Sequence, residues 1–175
     1  MAPDPTSTPG DPPASLWRRL GALVYELLLL AAVLLMAGFA LLPLVTPAAA
    51  PGGGALVAPS PTGRLLSFGG AFCVLLVYAV GCWSGGRRTL PMKTWKLALV
   101  RADGMPPGPA VALLRFAGCW IGPALALGGY LALRPHGYGA HAAWLVAFNF
   151  LWGLIDPDRQ FLHDRLAGTR IVDRR

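Results

Sequence analysis

One apolar run, from Leu20 to Val45, carries a single charge, Glu26, and limits the available architectures more than any other feature of the chain. About 25 residues rising about 1.5 Å each exceed the roughly 30 Å hydrocarbon core of a bilayer, so the run reads as a tilted spanning helix. Three further apolar runs follow, giving expected spans at about 20–45, 65–83, 110–133 and 140–155. The third is interrupted by Arg115, and the fourth, about 16 residues, is marginal for a full crossing, so a straight helix with local thinning is expected and a re-entrant segment is the alternative. Only 13% of the residues are charged and 55% are hydrophobic, against roughly 25% charged in soluble domains, which points to lipid as the solvent. The expected fold is an all-α membrane bundle of about four transmembrane helices, with no room for a separate soluble catalytic module.

Between spans 2 and 3 lies a segment in which Lys93, Trp95, Lys96, Leu97, Leu99 and Arg101 mix basic and apolar character over too short a length to cross. It is expected to lie at the headgroup level on the cytosolic side and to end in the Asp103-Gly104 turn. Residues 1–15, rich in Pro, Asp, Ser and Gly, read as a disordered cytosolic tail. Residues 16–172 form the membrane domain, and 173–175 a basic C-terminal end. Arg18-Arg19 before the first run and Ala48-Ala49-Ala50 after it raise the reading of a cleaved signal peptide. The run is far longer than the roughly 7–15 apolar residues of such a signal, so a retained span is expected.

Orientation follows from the basic residues. In a four-span chain, twelve Lys and Arg residues flank the spans on one face, and only Arg64 and Arg134 lie on the other. The positive-inside rule then places both termini in the cytosol of a multi-pass protein, in the inner membrane of a bacterium. The formal charge of +7 is therefore read as topology signal and as anchorage to anionic lipid headgroups, with no nucleic-acid partner. Cys73, Cys82 and Cys119 sit within apolar runs without metal-type spacing and read as small buried hydrophobes.

Charges inside apolar runs are costly, and each needs a partner, water or a change of protonation. Glu26 lies six residues past Leu20 and Arg115 five past Ala110, so both sit roughly 8–9 Å below one boundary and can meet if their helices are neighbours. Asp156, Asp164 and Arg19 lie toward the same side, so the candidate ion- or ligand-binding residues are Glu26, Arg115, Asp164, Arg19 and Asp156, with Asp164 at the entrance. The competing reading is a structural ion pair without a ligand. His163 beside Asp164 reads as a solvated polar pair, and His136 and His141 lie at the opposite face. No metal site, cofactor or catalytic constellation is expected, and the chain is not expected to be an enzyme. Gly118-xxx-Gly122 and Gly81 offer small-residue faces for a homo-oligomer.

Four fragments stand in order along the chain: Leu16-Trp17-Arg18-Arg19-Leu20 with Tyr25-Glu26-Leu27-Leu28, Gly86-Arg87-Arg88-Thr89-Leu90-Pro91-Met92-Lys93, Leu113-Leu114-Arg115-Phe116, and Leu162-His163-Asp164-Arg165-Leu166-Ala167-Gly168-Thr169-Arg170-Ile171-Val172. Taken together, from about residue 16 to 172, they resemble the RDD family of small bacterial membrane proteins. The family is named for an arginine at the start of the first helix and two aspartates. The resemblance assigns the arginine to Arg18 or Arg19, preferring Arg19, and the later aspartate to Asp164. At the first aspartate this chain has Glu26, one methylene longer, and Pro91 stands where the family more often has glycine. What the resemblance implies for activity is transport, with sodium/proton exchange proposed for some members. A membrane scaffold or assembly role is the alternative.

Overall fold

A computed structural model describes residues 13–45 and 59–174. The expectations for residues 1–12, for the Pro/Gly/Ala loop at 46–58 and for Arg175 lie outside the described residues. The chain is mostly helical. Helix α1 (Leu16–Val45) and α2 (Pro61–Trp83) pack along each other, followed by a short helix α3 (Leu90–Thr94) and a strand β1 (Leu97–Arg101). Then come α4 (Pro109–Cys119), α5 (Ile121–Leu133), a 3-10 helix (Gly139–Ala147), α6 (Phe148–Ile155), α7 (Leu162–Leu166) and β2 (Thr169–Asp173).

Among the described residues, three helices are long and apolar enough to cross a membrane: α1, α2 and the kinked run Pro109–His136. Gly139–Ile155 is apolar but shorter. The outward side chains are hydrocarbon, among them Leu28, Met36, Phe39, Leu65, Phe68, Val77, Leu131 and Trp144, each more than half exposed, which suits lipid and not water. Cys73 belongs to this outer surface, so it is not the buried hydrophobe expected; the α2 face that carries it points away from the neighbouring helices. Helix α2 begins at Pro61, earlier than the run of apolar residues, because Ser60 caps it by accepting from Gly63 N at 3.0 Å while Pro61 presets the first turn.

The all-α expectation is corrected by a two-stranded antiparallel sheet. β1 pairs β2 with Leu99 opposite Ile171, and Pro13 bridges to Val172 on the other edge of β2, so the chain before α1 is held in place from Pro13 onward. Leu97 and Leu99 therefore face the protein core and not the outer surface. They are buried with Ala14, Ala22, Met92 and Ile171, while Ala98, Val100 and Val172 pack on the opposite face, as alternation along a strand requires. Short helix periodicity and strand alternation cannot be separated over five residues, and the pairing partner lies about 70 positions away in the sequence.

The third apolar run is broken at Trp120. Pro123 has no N–H to donate to the carbonyl of Cys119, four residues back, and its ring crowds that carbonyl. The chain's one asparagine, Asn149 on α6, compensates: its Nδ2 donates to the carbonyls of Gly118 and Cys119, both at 3.0 Å. Beyond the break, α5 pairs with the 3-10 helix. Gly139, Ala142 and Leu145 recur every third residue, so they align on one face and meet Gly129 and Tyr130 of α5. A Cβ at Gly122 would lie 2.5 Å from the carbonyl oxygen of Val146, and one at Gly118 would lie 3.1 Å from the Cβ of His163. The Gly118/Gly122 face is thus consumed inside the bundle and not offered to a second copy.

Candidate functional site

Buried polar side chains gather at one end of the bundle, where α1, α2, α4 and α7 converge on the sheet. Arg19, Thr89, Arg115, Asn149, Asp156, Gln160, His163 and Asp164 are all buried. Their pairing differs from the simplest reading of the sequence. Arg115 bonds through Nε to Oδ1 of Asp164 at 2.7 Å, with both side chains enclosed, and its Cζ stands 4.0 Å from the centre of the Trp83 ring. Asp164 is 0% exposed, so it is a core partner and not an entrance residue. Glu26 forms no ion pair among the described residues. Its Oε1 accepts from the Tyr78 hydroxyl at 2.5 Å and its Oε2 from Thr89 Oγ1 at 2.7 Å.

The physical reason lies in helix neighbours. Packing of α1 on α2 and α3 brings Glu26 to Tyr78 and Thr89, whereas packing of α4 on α7 brings Arg115 to Asp164. Gly118 permits the close approach of α4 to α7. Thr89 serves twice, accepting from Met92 N at 3.3 Å as the cap of α3 and donating its own proton to Glu26. The two intramembrane charges thus face a shared space without direct contact.

Arg19, 2% exposed, donates to the backbone carbonyl of Arg159 at 2.7 Å. Asp156 shapes the loop that presents that carbonyl: its Oδ2 accepts from the backbone N–H of Asp158 at 3.1 Å and of Gln160 at 2.9 Å. Arg159 takes a left-handed φ of 52°, unusual for a side chain with a Cβ, and the two anchors hold it there. Arg165 adds an outer clamp, to Asp158 at 2.5 Å and Asp156 at 3.7 Å. The neighbouring Arg18 pairs with Asp173 and the Trp95 carbonyl, fixing α1 to the sheet and to the turn after α3.

His163 is not the solvated residue expected. It is 4% exposed, packs against the rings of Phe150 and Phe161, which also touch each other, and approaches an Arg115 terminal nitrogen at 3.4 Å. Burial pushes its pKa down to about 4, more than the nearby Asp164 raises it, so the ring is neutral at pH 7. Burial also pushes the Asp164 carboxyl upward, but Arg115 beside it, with Arg19 farther off, outweighs that and holds it below the usual range. His136 and His141 are exposed. Among the described residues there is no group of three or more His, Cys, Asp or Glu placed to hold a metal ion.

Two neighbouring spaces adjoin this cluster. A chamber of about 60 Å³ is lined by Arg19, Glu26, Trp83, Arg115 and His163, among others, and has room for water. Arg19 Nε, Trp83 Nε1 and His163 Nδ1 on these side chains lack protein hydrogen-bond partners. A partly open cavity of about 310 Å³ shares Glu26, Trp83, Arg115 and His163 with it and continues between apolar and aromatic walls, including Leu27, Tyr78, Phe116, Trp120 and Phe150. The arrangement can hold a proton or cation at Glu26 while the Arg115 charge is balanced elsewhere.

Sequence reasoning reached Glu26, Arg115, Asp164, Arg19 and Asp156, but not Tyr78, Trp83, Thr89, Asn149 or the burial of His163. Signals existed: Tyr78 and Asn149 are polar residues within apolar runs, and Thr89 before Leu90-Pro91 is a helix-start pattern. Comparison with curated proteins and with solved structures finds no match for this chain. A family model does match, over residues 13–168, and that stretch takes in the apolar helices and every member of the buried polar cluster named above. On that coverage the chain belongs to the RDD family, and it is a membrane-type protein.

Proposed function

We propose that this protein is a non-enzymatic transporter or ion-exchange component of a bacterial cytoplasmic membrane, in which Glu26 binds and releases a proton or small cation. The observation that carries this reading is the bonding of Glu26, a carboxylate within a long apolar helix, to two neutral hydroxyls beside a cavity, with no basic partner among the described residues. Such a carboxylate needs a counter-charge or a proton, and exchange of one for the other is the chemistry of a carrier residue. The 60 Å³ chamber beside it is lined by Arg19, Trp83 and His163, each with a ring or guanidinium nitrogen that lacks a protein partner, and the Arg115–Asp164 pair is a fixed scaffold next to it.

Both termini are assigned to the cytosol on the charge asymmetry of twelve to two. A fourth crossing by Gly139–Ile155 is supported by its conformation: nine residues of 3-10 helix at about 2.0 Å and eight of α-helix at about 1.5 Å extend roughly 30 Å. The exposed Arg87, Lys93, Lys96 and Arg101 then lie where they attract anionic headgroups. So narrow a bundle completes its pathway as a homo-oligomer, with the open Gly81 face as contact now that Gly118 and Gly122 are used internally.

The test is cation-driven pH change in liposomes holding wild type or a Glu26→Gln variant shown to be folded. Flux in wild type that is lost in the variant is the expected result. Equal flux removes Glu26 as the carrier, and no flux from either leaves the scaffold reading, which the enclosed Arg115–Asp164 pair favours. For orientation, a single cysteine at Gly137 should react with an impermeant external reagent, and cysteines at Gly104 and Gly168 should not. External labelling at Gly168 would overturn the four-span arrangement.

A further inference from the structure

The larger cavity has a shape and chemistry beyond what a bare proton needs. At about 310 Å³ it reaches the lower end of small-molecule sites. Five aromatic rings line it, those of Tyr78, Trp83, Phe116, Trp120 and Phe150, and Glu26 lies on its wall. Aromatic faces attract organic cations, and a carboxylate supplies the counter-charge. The other charge on the wall, Arg115, does not oppose a cation strongly, because Asp164 neutralises it at 2.7 Å and the Trp83 ring covers its face at 4.0 Å. An anionic head would find Arg115 already engaged and Glu26 repelling it.

Access is from the side. Leu27 lines the cavity yet is 56% exposed on the outer apolar surface, so the mouth opens onto the flank that faces hydrocarbon. A ligand arriving there must already be dissolved in the bilayer. The geometry points to a lipophilic organic cation, an ammonium with an aromatic or branched apolar body, that enters from the lipid and places its charge against Glu26 and its body among the rings. The inference rests on the proposed role of Glu26 and names a substrate class for the same site.

Binding of benzyltriethylammonium to the full-length protein in zwitterionic lipid nanodiscs tests it, read by calorimetry and by the fluorescence of the cavity tryptophans. The expected result is saturable binding that weakens at least tenfold in Glu26→Gln and in Leu30→Trp, which fills the cavity without changing its charge. Helical circular dichroism and thermal unfolding establish that both variants are folded. Benzenesulfonate is expected not to bind. Preference for the sulfonate, no saturable binding of the ammonium, or binding unchanged in both variants overturns the inference. Flux of inorganic cations that depends on Glu26, without ammonium binding, sinks this inference alone. Glu26-dependent ammonium binding without any flux keeps it and removes the carrier reading.

Discussion

Arg115 of α4 is bound to Asp164 of α7 at 2.7 Å, with 5% and 0% of the two side chains exposed, while Glu26 on the same cavity wall bonds only hydroxyls. One charge pair therefore ties α4 to α7, and a separate carboxylate on α1 is tied to α2 and to the start of α3 through hydroxyls.

Removing either member of that pair strands a buried charge. Arg115→Leu and Asp164→Asn should each lower stability by about 3–5 kcal/mol, and the double variant should recover a large part of the loss. Denaturant unfolding in detergent micelles measures the cycle. The coupling of Arg115 with Asp164 should exceed that of Arg115 with Glu26; the reverse order would mean that the ion pair is wrongly assigned.

Asn149 and Pro123 should be coupled in the opposite way. Asn149→Ala leaves the Cys119 and Gly118 carbonyls without that donor, a loss of about 1–3 kcal/mol. Pro123→Ala restores an N–H able to reach the Cys119 carbonyl. Asn149→Ala should therefore cost less in the Pro123→Ala background, and an equal cost in both would separate the asparagine from the helix break.

Acid should weaken the fold through His163. Its pKa of about 4 in the folded chain lies below the unfolded value near 6.5, so between those values the unfolded chain binds the extra proton. Stability falls as pH drops through that window, by roughly 3 kcal/mol in total, and is insensitive to this group above it. The depressed Asp164 carboxyl adds a further loss at still lower pH. Thermal unfolding at pH 4.5 and 7 should show a smaller difference for His163→Gln than for wild type. An unchanged difference would mean that the ring is reached by water.

Glycine substitutions distinguish internal packing from outer surface. Gly122→Ala would set a Cβ 2.5 Å from a backbone oxygen and should cost about 1–3 kcal/mol. Gly69→Ala and Gly81→Ala meet nothing within 4 Å and should leave monomer stability nearly unchanged. If Gly81→Ala alters sedimentation in detergent while Gly69→Ala does not, the Gly81 face is the oligomer contact.

The sequence by itself determined the membrane character, the family and the approximate limits of the apolar helices, because partition between lipid and water depends on composition along the chain. It also marked Glu26 and Arg115 as ions lodged in apolar runs. Tertiary structure decided who meets whom. Depth along a helix axis is a one-dimensional quantity, and Glu26 and Arg115 share it, but contact also depends on which helices are neighbours and on their rotation. The same reason hid the sheet, since Leu97–Arg101 becomes a strand only where Thr169–Asp173 arrives beside it. It also hid His163, since nothing in its neighbours Asp164 and Arg165 signals that Gly118, 45 positions earlier, admits it to the core.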